Sequence, residues 1–265
     1  PDSVKALVQK YFGEIPAGPE VAKLQPMPVT LDATKKLYHE DNFAKAPEYT
    51  RVYPGPQNYS KDAYSLSILA QLLGQGKKSP MYSVLVKEKK LTSDVSVYNR
   101  EMELAGQFLI SVTANPGVNL NDVEAGIDEA FAKFEKDGIT AKDLERVKAG
   151  IETRFYNRIS SVQGKAFSLA EYNIYTGDPG FYKKDIENYM AVTKADVEDV
   201  YNRYIKGKNF VATSFVPKGQ VNLIANGSVN AGIVEENILN ATEVKVKPAE
   251  KTEIVKTPSS FDRSV

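Results

Sequence analysis

The order of elements in this sequence predicts an α+β fold. Alternating apolar positions such as Phe108, Ile110 and Val112 mark short strands. Longer stretches with apolar residues three and four apart, opened by Ser79-Pro80, Thr140 and Thr193, mark capped helices. The two kinds come in blocks: strands, a helix pair, two more strands, four helices and a closing strand.

Val4, Leu7, Val8 and Tyr11-Phe12 share one helical face, and Gly13 follows where a C-cap glycine belongs. Prolines at positions 16, 19, 26 and 28 give Ile15 to Pro28 the composition of a linker. Lys35 to Asp41 and Glu48 to Tyr53 read as strands, the second stopped by Pro54-Gly55-Pro56. Asp62 to Leu73 places Ala63, Leu66, Leu69, Ala70 and Leu73 on one helical face. The turn after it requires Gly74 or Gly76 to take a positive φ. Ser79 then caps a second helix that starts at Pro80 and is carried by Met81, Val84, Leu85 and Leu91. Asp94 to Arg100 and Gln107 to Ala114 form an antiparallel pair.

Asn121 to Lys136 is a helix ended by Asp137-Gly138. Thr140 opens a long helix through Arg158, and Ser160 to Tyr175 continues as helix. Tyr182 to Ala191 is another. Thr193 to Asp196 caps the last, whose inner face is Val197, Val200, Tyr201 and Tyr204. Asn209 to Val216 closes the series as a strand, and Pro217 ends it. Beyond Gly219 the pattern weakens: Gly232 to Asn240 reads as a short helix and Lys245 to Lys256 as an extended linker.

Composition narrows the function. Of 265 residues, 42% are hydrophobic and 26% charged, as in a soluble globular protein. Lys+Arg and Asp+Glu both number 34, and this balance argues against a nucleic-acid binder. No cysteine is present, which excludes disulfides and thiolate metal sites. No apolar run reaches the length of a membrane span. Pro1-Asp2-Ser3 and the loop-like Pro258 to Val265 read as the cut edges of a longer chain.

The stretch Leu72 to Val97 resembles the insulinase/pitrilysin family of zinc metallopeptidases. It joins the glycine turn Gly74-Gln75-Gly76, the helix start Ser79-Pro80-Met81-Tyr82 and a following strand. Tyr11-Phe12-Gly13-Glu14-Ile15-Pro16, Asp137-Gly138-Ile139-Thr140 and Val192-Thr193 with Asp196-Val197 stand in the order that family uses. The resemblance implies a largely antiparallel sheet with helices packed on one face. It also implies a division into a preceding helix and linker (1–30), a pitrilysin-like domain (31–218) and an extended C-terminal segment (219–265).

Active members hold zinc with a His-x-x-Glu-His motif. This chain has one histidine, His39, so the resemblance points to a non-catalytic domain of a zinc-dependent endopeptidase. No catalytic residue, metal ligand or cofactor is then expected within it. Zinc belongs to a zinc-bearing domain of the same chain or of a partner subunit, across a chamber that takes a peptide substrate. The alternative is a structural subunit of the same fold that has lost catalysis. Relatives in the periplasm or cell envelope suggest that location.

Active relatives place an Arg in this helix and a Tyr at the start of the next strand, reaching the substrate. Here those positions fall near Val86 or Lys87 and at Ser93 or Asp94, and neither residue type is present. Lys87, Ser93 and Asp94 are therefore the expected chamber-lining residues. Lys87 supplies a point charge without the planar fork of Arg.

Other features have plainer readings. His39 stands without a second histidine and reads as a half-exposed strand residue. Gly74 to Ser79 lacks the spacing and the preceding strand of a phosphate loop. Tyr172, Tyr175, Phe181, Tyr182 and Tyr189 read as packing aromatics with hydroxyls in water. Glu145, Lys148, Glu152 and Arg154 read as a solvated helix face with pairs three and four apart.

Overall fold

A computed structural model describes residues 2–19, 22 and 24–233. Six strands form one sheet: β1 (Lys35–Asp41), β2 (Glu48–Gly55), β3 (Ser96–Arg100), β4 (Gly106–Thr113), β5 (Val211–Pro217) and β6 (Val229–Asn230). Their order is β3-β4-β2-β5-β1-β6. The pairs β3–β4, β4–β2 and β2–β5 are antiparallel, while β1 runs parallel to β5 and β6. The helices are α1 (Asp2–Phe12), α2 (Lys61–Gly74), α3 (Leu120–Asp137), α4 (Ala141–Ser160), α5 (Val162–Thr176), α6 (Tyr182–Ala191) and α7 (Lys194–Val200).

Alternation along the strands decides which face of the sheet is covered. Tyr49, Arg51 and Tyr53 of β2 lie opposite Val112, Ile110 and Phe108 of β4, and all six are buried. The five other than Arg51 meet Leu66, Leu69 and Leu73 of α2 and Val123 and Ile127 of α3 in one continuous core. Each such side chain contributes about 1.5–3 kcal/mol on burial. The intervening residues, Thr50 of β2, Tyr98 of β3 and Thr213 and Phe215 of β5, occupy the other face, which stays partly open to solvent. A one-residue slip would exchange the two sets, so the hydrophobic pattern pins the register.

Helix starts follow the capping residues. Ser60 accepts the Ala63 amide at 3.3 Å, Asn119 that of Asn121 at 2.9 Å, and Thr140 that of Asp143 at 3.1 Å. At α7, Thr193 and Asp196 form a reciprocal capping box.

Several elements depart from the sequence pattern. Pro54-Gly55 does not stop β2; the pairing continues to Gly55 opposite Gly106. The β2–β5 ladder has already ended at Val52, so Pro54 has a neighbour on one side only, where proline is tolerated. The helix continuing past Arg158 is two helices. Ser161 turns to an extended ψ of 152° and caps α5 by accepting the Gly164 amide at 3.0 Å. Gly164 allows this corner, because a Cβ there would collide with the Arg158 carbonyl. The compact unit also runs past Lys218 to Ala231, adding β6 beside β1 and burying Leu223 and Ala225. The helix read over Gly232 to Asn240 lies outside the described residues from 234 onward, as does the linker read over Lys245 to Lys256.

Candidate functional site

The expected site lies on the connection from α2 to β3. Gly76 takes φ +85°, as the turn requires. Gly74 does not; it is the last residue of α2, and a Cβ there would sit 2.7 Å from the Val97 side chain. Its role is to let α2 approach β3. Ser79 is buried, and its hydroxyl accepts the Tyr82 amide at 3.4 Å. The next helix is wider than an α-helix: Tyr82–Glu88 is π-helical, and the Lys89 amide bonds back five residues to the Val84 carbonyl at 2.9 Å. Such turns occur often at functional sites.

The segment is firmly held. Met81, Val84 and Leu85 are buried, and Lys89 pairs with Glu129 of α3 at 2.8 Å. Lys90 takes φ +54°, and its carbonyl accepts the Asn115 amide group at 2.9 Å. The buried Thr92 hydroxyl lies 2.6 Å from the Thr113 carbonyl and accepts the Asp94 amide at 3.2 Å. From this frame Lys87, Ser93 and Asp94 all project as exposed residues. The Lys87 ammonium lies 5.9 Å from the Tyr82 ring centre and makes no ion pair among the described residues.

The donor set does not fit zinc. Among the described residues no three of His, Asp and Glu converge, and the chain has neither a second histidine nor a cysteine. His39 stacks at 5.6 Å on Phe215 of the neighbouring strand.

Sequence reasoning missed a second site. A cavity of about 420 Å³ opens among α2, β3, α4, α5 and α6. Two of the tyrosines at it, Tyr172 and Tyr189, do not send their hydroxyls to water. Tyr172 donates to Asp185 at 2.6 Å, and Tyr189 to Glu101 at 3.3 Å. Burial first, and then Asp185 nearby, holds the Glu101 carboxyl above the usual range. On α4 an ion pair three apart joins Arg146 to Asp143 at 3.6 Å, whereas Glu145, Lys148, Glu152 and Arg154 form none with one another among the described residues. Lys148 donates to the Met190 carbonyl at 2.7 Å, and Arg154 to Gln71 at 2.6 Å. The sequence signal was the density of tyrosines near 172–189, but it did not reveal their acidic partners.

Residues 1–151, more than half of the 265, match the family model described as the peptidase M16 inactive domain. The chain is 28% identical over 156 residues to the zinc protease PqqE of Helicobacter pylori, spanning 58% of this chain and 34% of that protein. The fold matches a solved protease from Helicobacter pylori with TM-score 0.69 at 22% identity, over 82% of this chain and 52% of that one. It also matches the periplasmic protease PqqL of Escherichia coli, with TM-score 0.61 at 16% identity, over 82% of this chain and 24% of that one. This chain thus spans about a third of the length of the curated relative. The chain belongs to the peptidase M16 family, the insulinase/pitrilysin group that Leu72 to Val97 resembles, as one of its inactive domains.

Proposed function

We propose that this chain closes a peptide-binding chamber over a zinc-bearing domain outside it, as the non-catalytic part of a zinc-dependent endopeptidase. The observation that carries the reading is the inactive-domain match over residues 1–151, together with relatives described as zinc proteases. The rigid connection from α2 to β3 supports it, because it presents Lys87, Ser93 and Asp94 to solvent from a buried frame. Polar side chains on such a frame contribute charge and shape to a substrate without the cost of burial. Zinc and the groups that act on it belong to the partner domain; the chain has one histidine and no cysteine, and no metal-binding group converges among the described residues. A periplasmic or cell-envelope location is supported by the Escherichia coli neighbour described as periplasmic. No helix among the described residues is long and apolar enough to cross a membrane.

The test is peptide cleavage by the full-length protein, with and without a chelator, in the parent and in Lys87→Glu. Chelator-sensitive cleavage is expected, with turnover changed several-fold by the substitution at unchanged melting temperature. Cleavage of several unrelated peptides at the parental rate by Lys87→Glu would overturn the chamber role.

A further inference from the structure

The cavity between α2, β3, α4, α5 and α6 has two walls of opposite charge, bridged at one point by the Tyr172 hydroxyl, which accepts from Arg158 and donates to Asp185. On α4, Arg154 and Arg158 lie one turn apart and line it. Arg154 donates to the Gln71 side chain at 2.6 Å and Arg158 to the Tyr172 hydroxyl at 3.1 Å. Among the described residues neither has a carboxylate partner. Facing them are Glu101 and Asp185, the latter 6% exposed. Glu101 accepts from the Ser67 hydroxyl at 2.6 Å and from Tyr189 at 3.3 Å, and Asp185 from Tyr172 at 2.6 Å. Among the described residues neither carboxylate meets a cation. Withdrawing a carboxylate from water without one is costly.

Asn99 adds an independent observation. Its amide nitrogen donates to the Ala63 carbonyl at 3.2 Å and to Ser67 at 3.1 Å. A carbonyl only accepts, so the orientation of this side chain is settled. That leaves Oδ1 buried with no hydrogen-bond partner, in a residue that lines the cavity. Two carboxylates that meet no cation among the described residues call for a donor. Arg154 and Arg158, exposed at the same cavity and without a carboxylate among the described residues, have donors to offer an anion. Tyr59 and Tyr172, 5.9 Å apart between ring centres, add aromatic surface that a cation also favours.

We propose that this cavity binds a small zwitterion, an α-amino acid or a dipeptide. Its ammonium sits on Glu101 and Asp185, and its carboxylate on Arg154 and Arg158. The cavity volume, near the lower end for ligand sites, suits a molecule of that size. The site shares no residue with Lys87, Ser93 or Asp94, so it stands whether or not the chamber reading does.

Titration calorimetry on the intact protein tests this with the dipeptide Ala-Ala, its N-acetyl form and its C-terminal amide. Saturable binding of Ala-Ala is expected, weakened about tenfold or more by blocking either end. Arg158→Gln, at an exposed position, and Glu101→Gln should each weaken it to a similar degree, with circular dichroism confirming the fold. Absence of saturable heat would overturn the proposal. So would binding that tolerates a block at either end, or binding by the double variant Arg154→Gln, Arg158→Gln at the parental affinity.

Discussion

Arg51 and the pair Arg154–Arg158 each sit among tyrosines and carboxylates, but their environments differ in saturation. Arg51 is 2% exposed and points from β2 toward α3. Its guanidinium bonds Asp128 at 2.7 Å, lies 3.7 Å from Glu124 and stacks 4.3 Å from the Phe210 ring centre. Glu124 is shared with Lys36 at 2.7 Å and with the Tyr49 hydroxyl at 2.9 Å. Only Nε of Arg51 lacks a partner. This cluster neutralises itself, so it ties sheet to helix. Around the helix-side cavity the same residue types include two carboxylates, Glu101 and Asp185, that meet no cation directly among the described residues. The difference teaches that a buried charge marks a ligand only where the protein has not already supplied its counterion.

The comparison breaks most directly at Arg51. Arg51→Ala empties a buried volume and removes the tie from β2 to Asp128 and Glu124, and should cost about 3 kcal/mol in denaturant unfolding. Arg154→Gln, on the unsaturated side, should change stability by less than about 0.5 kcal/mol. Equal costs would mean that both clusters serve the fold.

Gly74, which ends α2, and Gly76, just beyond it, test the cavity's wall. Gly74→Val forces α2 away from Val97 and should cost about 2 kcal/mol by overpacking. Gly76→Val meets nothing within 4 Å and should cost about 1 kcal/mol through its positive φ alone. Thermal melts that rank them the other way would show that the close approach of α2 to β3 is not what Gly74 serves.

Glu101 sharpens the contrast through pH. Burial raises its carboxyl, so the folded state favours the protonated form. That contribution is fully present below the ordinary glutamate range and is lost as pH rises through the raised folded value. Glu101→Gln removes the titration, so its melting temperature should gain on the parent as pH rises from the ordinary glutamate range upward. A constant difference over that rise would place the Glu101 penalty elsewhere. The smallest stability effect belongs to Lys87→Glu, within about 0.5 kcal/mol, because Lys87 is exposed and makes no ion pair among the described residues; a larger loss in urea unfolding would give it a structural role.

Local patterns made much of the fold legible. The ends of β1, the caps at Thr140 and Thr193, and the stop of α3 at Gly138 with φ +67° all follow from residues adjacent in sequence. The α2-to-β3 connection was legible for the same reason, since Gly76, Ser79 and Pro80 act within a turn of themselves. What sequence could not decide depends on distant partners. Pro54 stays in β2 because β5 ends its pairing early, and β6 exists because β1 offers an edge. Gly74 is needed because of Val97, and Tyr172 turns its hydroxyl inward because Asp185 arrives from α6. A sequence fixes caps and periodicity through neighbours a few residues apart, whereas the counterion of a buried charge is chosen only when separate elements converge, and in this chain that convergence left Arg154, Arg158, Glu101 and Asp185 around one cavity.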